Sequence, residues 1–241
     1  MYTRDQIKNM IFLDVETVSS HLNLDSLQKD NQALYEFWPD KANLIRKGKP
    51  EIAHLTDEEV FQTESALYTE FSKIVTISIS QVVFDEAGEP QIKTKSFYSH
   101  SEREIVESFQ KAIMALFTRS STLKLVGHNI TGFDMPLIVR NFVKYDLEIP
   151  RQLMLHDIKP WESCMLDTSK IWKFGSWTGA PLGLLCTALG IPSPKNDLSG
   201  SKVTEAYWQN DQLERIKDYC EGDVKATANV ILKMSRLPLV Y

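Results

Sequence analysis

Ile11-Phe12-Leu13-Asp14-Val15-Glu16-Thr17 is an apolar run of strand-forming residues with two carboxylates set into its end. Side chains two apart on a strand point to the same face. Asp14 and Glu16 therefore project together from one side of a hydrophobic strand. Two like charges that close repel, and a core strand adds the cost of desolvating them. A divalent cation between them removes both penalties. A hard ion such as Mg²⁺ takes carboxylate oxygens and commonly brings phosphate with it. The competing interpretation is a pair of acids at a solvated strand end, so the pair needs partners elsewhere in the chain.

Working outward, residues 1–9 form a short polar lead. Residues 18 to about 73 make a long insertion, too long for a plain loop and expected to carry its own helices. Leu34, Phe37 and Trp38 mark one helical patch; Val60, Leu67 and Phe71 mark another. Thr56 and Glu59 have the spacing of a capping box. Strands are predicted over Lys73 to Phe84 and Ile92 to Tyr98, forming a hairpin beside the first strand. A helix opens at Ser101, a short buried strand covers Leu123 to Gly127, and a second helix starts near Asp134. Met165 to Thr168 reads as a strand, Pro181 to Leu189 and Val203 to Trp208 as helices, and Asp211 to Lys233 as a long last helix. A hairpin followed by strand–helix units predicts an α/β fold: a mixed sheet with helices on both faces.

The 241 residues suit one large α/β domain, or one with a substantial insertion. A net charge of -5 argues against a protein that grips nucleic acid by bulk electrostatics. It leaves room for an enzyme whose metals supply local positive charge. No apolar run approaches the ~20 residues of a membrane span. Met1 to Met10 lacks the apolar core of a signal peptide, so a cytoplasmic protein with no membrane partner is expected. Cys164, Cys186 and Cys220 are too far apart for a zinc motif and are read as small apolar fillers.

Candidate partners for Asp14 and Glu16 lie in two places. Asp134 stands at a helix start after a buried strand and a glycine-containing turn. Asn129 in that turn can bond loop backbone or substrate, and Phe133 can stack on a base or pack in the core. Tyr219 and Asp223 are four apart on the last helix and share a face. Four carboxylates can hold two divalent cations about 3.5–4 Å apart, the arrangement used for in-line attack on a phosphodiester. Asp167 and Asp197 are read as a strand-end acid and a loop acid, with Lys195 and Lys202 near enough to the second to meet phosphates. His128 is read as a packing or hydrogen-bonding residue, because Mg²⁺ favours oxygen. Trp172 and Trp177 could stack on substrate, but burial is the usual fate of tryptophan.

Phe12-Leu13-Asp14-Val15-Glu16-Thr17, Gly127-His128-Asn129-Ile130-Thr131-Gly132-Phe133-Asp134-Met135-Pro136 and Tyr219-Cys220-Glu221-Gly222-Asp223-Val224 occur in that order. The set resembles the DEDD superfamily of 3′–5′ exonucleases, in its tyrosine-containing branch. The middle motif is similar to that of the proofreading domains of family-B DNA polymerases. The resemblance implies a ribonuclease-H-like fold over a single domain, 1–241, with the insertion at about 18–73. It implies two divalent cations, Mg²⁺ or Mn²⁺, held by Asp14, Glu16, Asp134 and Asp223, with Tyr219 positioning the nucleophile. Thr17, Asn129 and Phe133 are expected to contact nucleic acid. The expected reaction is hydrolysis at a free 3′ end of DNA, single-stranded, releasing 5′-mononucleotides. Two other expectations fit the same residues: trimming of RNA 3′ ends, and a non-catalytic nucleic-acid-binding module on the same fold.

Overall fold

A computed structural model describes residues 1–154, 159, 162–192, 198 and 200–241. Five strands form one sheet in the order β3-β2-β1-β4-β5. They are β1 (Met10–Ser19), β2 (Ser72–Phe84), β3 (Pro90–Tyr98), β4 (Lys124–Gly127) and β5 (Met165–Asp167). β2 and β3 form an antiparallel hairpin against β1, while β4 and β5 run parallel to β1 on its other side. This is the mixed α/β sheet expected from the sequence.

β1 is the central strand, and nine of its ten residues are buried. A strand covered on both faces reads as a continuous apolar run, which is why residues 10–13 lack alternation. Ile11, Leu13 and Val15 face two helices, α6 (Glu102–Arg119) and α7 (Asp134–Lys144), through Phe109, Met135 and Phe142. Met10 and Phe12 face the long helix α11 (Leu213–Met234) through Val224, Ala228 and Ile231. β2 turns Ile77 and Ile79 toward α6, and Ser78 and Ser80 pair with Asp14 and Phe12. The register slips between Glu16 and Thr17. β1 thus continues to Ser19, beyond the end at Glu16 expected from sequence.

The connection between β1 and β2 occupies residues 20–71 and is helical throughout much of its length. It holds α2 (Leu24–Asp30), α3 (Gln32–Glu36), α4 (Trp38–Gly48) and α5 (Asp57–Glu64). These helices pack around their own cluster, with Trp38 at its centre against the edges of Phe61 and Phe71, ring centroids 5.0 and 4.9 Å away. Thr56 and Glu59 make the expected reciprocal cap of α5, at 3.3 and 2.8 Å. Phe37 and Leu67, which marked these helical patches on sequence, are exposed. The Ser20 N–H donates to the Phe71 carbonyl at 2.8 Å, so the segment leaves and rejoins the sheet at one place.

Two short helices were not expected: α1 (Arg4–Lys8), capped by Thr3, and α8 (Thr168–Lys173), capped by Asp167. Beyond these lie α9 (Leu182–Leu189), ended by Gly190 at φ 66°, and α10 (Val203–Trp208). Lys195 and Asp197 lie outside the described residues, and Lys202 is exposed. No described helix is long and apolar enough to cross a membrane.

Candidate active site

Three elements deliver the four acids. β1 supplies Asp14 and Glu16, α7 begins at Asp134, and α11 supplies Asp223 with Tyr219 one turn before it. Carboxylate oxygens of Asp14, Glu16 and Asp223 lie within 4.8 Å of one another. Asp134, only 4% exposed, accepts from the backbone N–H of Val15, the residue between the two β1 acids. It is near enough to raise the carboxyls of both Asp14 and Glu16.

The electrostatics of this cluster are unfavourable without a counterion. Burial pushes Asp14 well above the carboxylate range, and Asp134, Glu16 and Asp223 add to it. Burial does the same to Glu16, followed by the charges of Asp223 and Asp134. Asp134 is raised by burial to about 7, against two backbone N–H donors that favour its charged form. Asp223 is raised by burial to about 6, partly offset by the Tyr219 hydroxyl that donates to it. Burial and the neighbouring carboxylates also push Tyr219 upward, so it stays protonated at neutral pH. The ion pairs among the described residues use other acids, such as Glu64 and Glu102. An all-carboxylate donor set, largely buried and short of positive charge, fits a hard divalent cation.

The loop before α7 is shaped by close approaches. A Cβ on Gly127 would lie 2.7 Å from Ile130 Cβ and 3.0 Å from the Leu13 carbonyl oxygen, so only glycine lets β4 end against the residue before Asp14. Asn129 takes a left-handed φ of 66°, and its side-chain oxygen would lie 2.5 Å from a Cβ on Gly132. Asp167 holds this loop from β5. It accepts from Asn129 N at 2.9 Å, Thr131 Oγ1 at 2.6 Å and Thr131 N at 3.3 Å. Its charge also contributes to the raised carboxyl of Asp134. Sequence reasoning took Asp167 for a strand-end acid. The available signal was its place before Thr168-Ser169, where it caps α8 through Ser169 N at 3.1 Å. His128 behaves as expected, bonded to Thr168 Oγ1 at 3.0 Å and the Ala180 carbonyl at 2.9 Å.

Cys220 is more than filler. Its thiol, kept protonated by burial and by Asp14, donates at 3.4 Å to both the carbonyl and the carboxylate of Asp14. Beside Glu16 lies a cavity of about 410 Å³. Glu16, Thr17 and Phe133 line one side, and Lys49, Glu64 and Leu67 of the insertion line the other. Lys49 Nζ meets Glu64 Oε2 at 2.5 Å in that wall. The Thr17 hydroxyl is spent on the Ala66 carbonyl at 2.7 Å, so this residue ties β1 to the insertion. Phe133 is half-buried, packed on the core with one side to the cavity, and Asn129 is exposed. Trp172 packs against the small apolar cluster between α9 and α11, whereas Trp177 is 92% exposed.

A mixed sheet with an inward-facing knot of acids across its central strand, a loop–helix junction and a last helix defines a nuclease-like architecture. Residues 65–238 match the family described as predicted 3′–5′ exonucleases related to the exonuclease domain of PolB, and the chain belongs to that family. The match takes in Asp134, Tyr219 and Asp223 and begins after Asp14 and Glu16. No curated protein matches the sequence. Two solved structures of E. coli exonuclease I are similar. The complex with a dT13 oligonucleotide has 14% identity and a TM-score of 0.40, over 94% of this chain and 40% of that one. The complex with a 5cy-dA13 oligonucleotide has 15% identity and a TM-score of 0.37, over 93% and 40%. The chain thus spans 40% of the length of exonuclease I.

Proposed function

We propose that the chain is a metal-dependent 3′–5′ exonuclease that removes 5′-mononucleotides from the 3′ end of DNA, with single strands as substrate. The observation that carries this is the meeting of four largely buried carboxylates from β1, α7 and α11 with no cationic partner among the described residues. Asp14, Glu16 and Asp223 would hold one divalent cation, and Asp14 with Asp134 a second. Bound there, Mg²⁺ or Mn²⁺ supplies an activated water and charge stabilisation for the departing 3′ oxygen.

The protein groups have separate tasks. Tyr219, protonated and anchored on Asp223, offers its hydroxyl to orient the attacking water, as in the tyrosine-containing branch. Phe133 and the cavity beside Glu16 give the terminal nucleotide a partly apolar seat. The insertion builds the far wall of that seat, which favours one domain over residues 1–241 rather than two independent ones. DNA is preferred to RNA on the strength of the family's relation to the PolB exonuclease domain.

Digestion of 5′-labelled DNA and RNA oligonucleotides of matched sequence tests both parts. The expected result is a Mn²⁺-dependent ladder from the 3′ end of DNA, abolished in Asp14→Ala. Full activity in Asp14→Ala would remove the assignment, and faster digestion of RNA would replace the substrate.

A further inference from the structure

We propose that the loop after α8 is a stacking platform that holds the single strand upstream of the scissile end, with Trp177 and Phe174 as its aromatic faces. The kind of ligand rests on the exonuclease assignment above; the platform itself rests on separate observations. Trp177 is 92% and Phe174 72% exposed, in one four-residue stretch. An exposed aromatic gains nothing for the fold. Phe174 is also held at φ 45°, the left-handed helix-end position that glycine or asparagine fills without strain. A bulky ring kept there, facing water, is a cost to the free protein.

The loop is internally hydrogen-bonded and tied to the segment that leads into Asp134. Ser176 N donates to the Lys173 carbonyl at 2.7 Å, and Thr178 N to Ser176 Oγ at 3.2 Å. Its far end, the Ala180 carbonyl, is bonded to the His128 ring at 2.9 Å. His128 belongs to the loop that leads into Asp134. Three residues span at most about 11 Å, so Trp177 stays within that reach of the tether. Lys170 and Lys173 stand in the last turn of α8, just before the rings, and neither has a carboxylate partner among the described residues. Exposed aromatics beside free cations match a strand that offers both bases and phosphates. An acidic net charge elsewhere on the chain makes these local cations the more necessary for capture.

Anisotropy of 5′-fluorescein-labelled dT15, in EDTA so that no cleavage occurs, tests binding without relying on catalysis. Trp177→Ala is expected to weaken Kd about tenfold, and Trp177→Phe to keep most of the affinity. Phe174→Gly should weaken Kd while raising Tm, an outcome that a merely structural ring would not give. Lys170→Ala and Lys173→Ala should each lower the salt dependence by a slope of about 0.7. In turnover, the loss for Trp177→Ala should be about tenfold greater on dT15 than on a trinucleotide. Wild-type Kd in the Trp177→Ala/Phe174→Ala double variant would overturn the platform and leave the rings as a surface for another protein. A wild type that binds dT15 but digests no nucleic acid would instead overturn the exonuclease assignment.

Discussion

Replacing Asp223 with asparagine should stabilise the metal-free protein while destroying its activity. Asp223 titrates at about 6 in the folded chain, raised by burial from an ordinary 3.8. A carboxyl with a raised folded value binds its proton more tightly folded than unfolded. Stability is therefore highest below the unfolded value and falls as pH rises through the folded one. The difference corresponds to about 3 kcal/mol lost by pH 7.5. The substituted amide would carry no charge at any pH, would still accept from Tyr219, and would relieve the repulsion on Glu16 and Asp14 as well. For a chain of this size a gain of ~3 kcal/mol raises Tm by about 6–12 °C. The assay is thermal unfolding in EDTA at pH 4 and pH 7.5, then at pH 7.5 with Mn²⁺. Asp223→Asn should exceed wild type at pH 7.5, match it at pH 4, and gain less from Mn²⁺. A variant that melts at or below the wild type in EDTA at pH 7.5 would refute the electrostatic account of the cluster.

Tyr219→Phe removes the hydroxyl but no metal-binding carboxylate, so kcat should fall by about 10²-fold or more while the Mn²⁺-induced rise in Tm persists; loss of that rise would mean the tyrosine helps to hold the ion. Gly127→Ala forces a methyl against Ile130 and the Leu13 carbonyl, and should cost about 1–3 kcal/mol, read as a lower denaturant midpoint. An unchanged midpoint would mean that the loop before α7 yields more easily than its close contacts indicate.

The sheet and most of the acid cluster were legible because both follow from spacing. Alternation marked β2, and a carboxylate pair two apart on an apolar strand marked β1. Four apart on a helix linked Tyr219 to Asp223. What could not be read depends on contacts between distant segments. Asp167 looks like any strand-end acid until β5 lies beside β4 and its carboxylate reaches Asn129 and Thr131. Cys220 is a plausible filler until α11 lays its thiol on Asp14. α8 begins at Thr168, which the sequence reading assigned to the end of the preceding strand. Trp177 defied the general rule because burial of tryptophan is a tendency of packing, and nothing in the described fold packs on it. Thr17 gained a second task that spacing could not show: its hydroxyl donates to the Ala66 carbonyl of the insertion while the residue lines the cavity beside Glu16.

The acids of β1 ride on the middle strand of five, laddered to β2 on one edge at Asp14 and Glu16, with the Val15 N–H between them bonded to Asp134. Backbone of that kind opens only when the whole molecule does, whereas rim helices and surface turns breathe far more readily. Mutual repulsion among the carboxylates is thus borne by the stiffest timber in the frame. On the proposed function, the parts around it that would handle substrate are free to adjust without changing the spacing of Asp14 and Glu16.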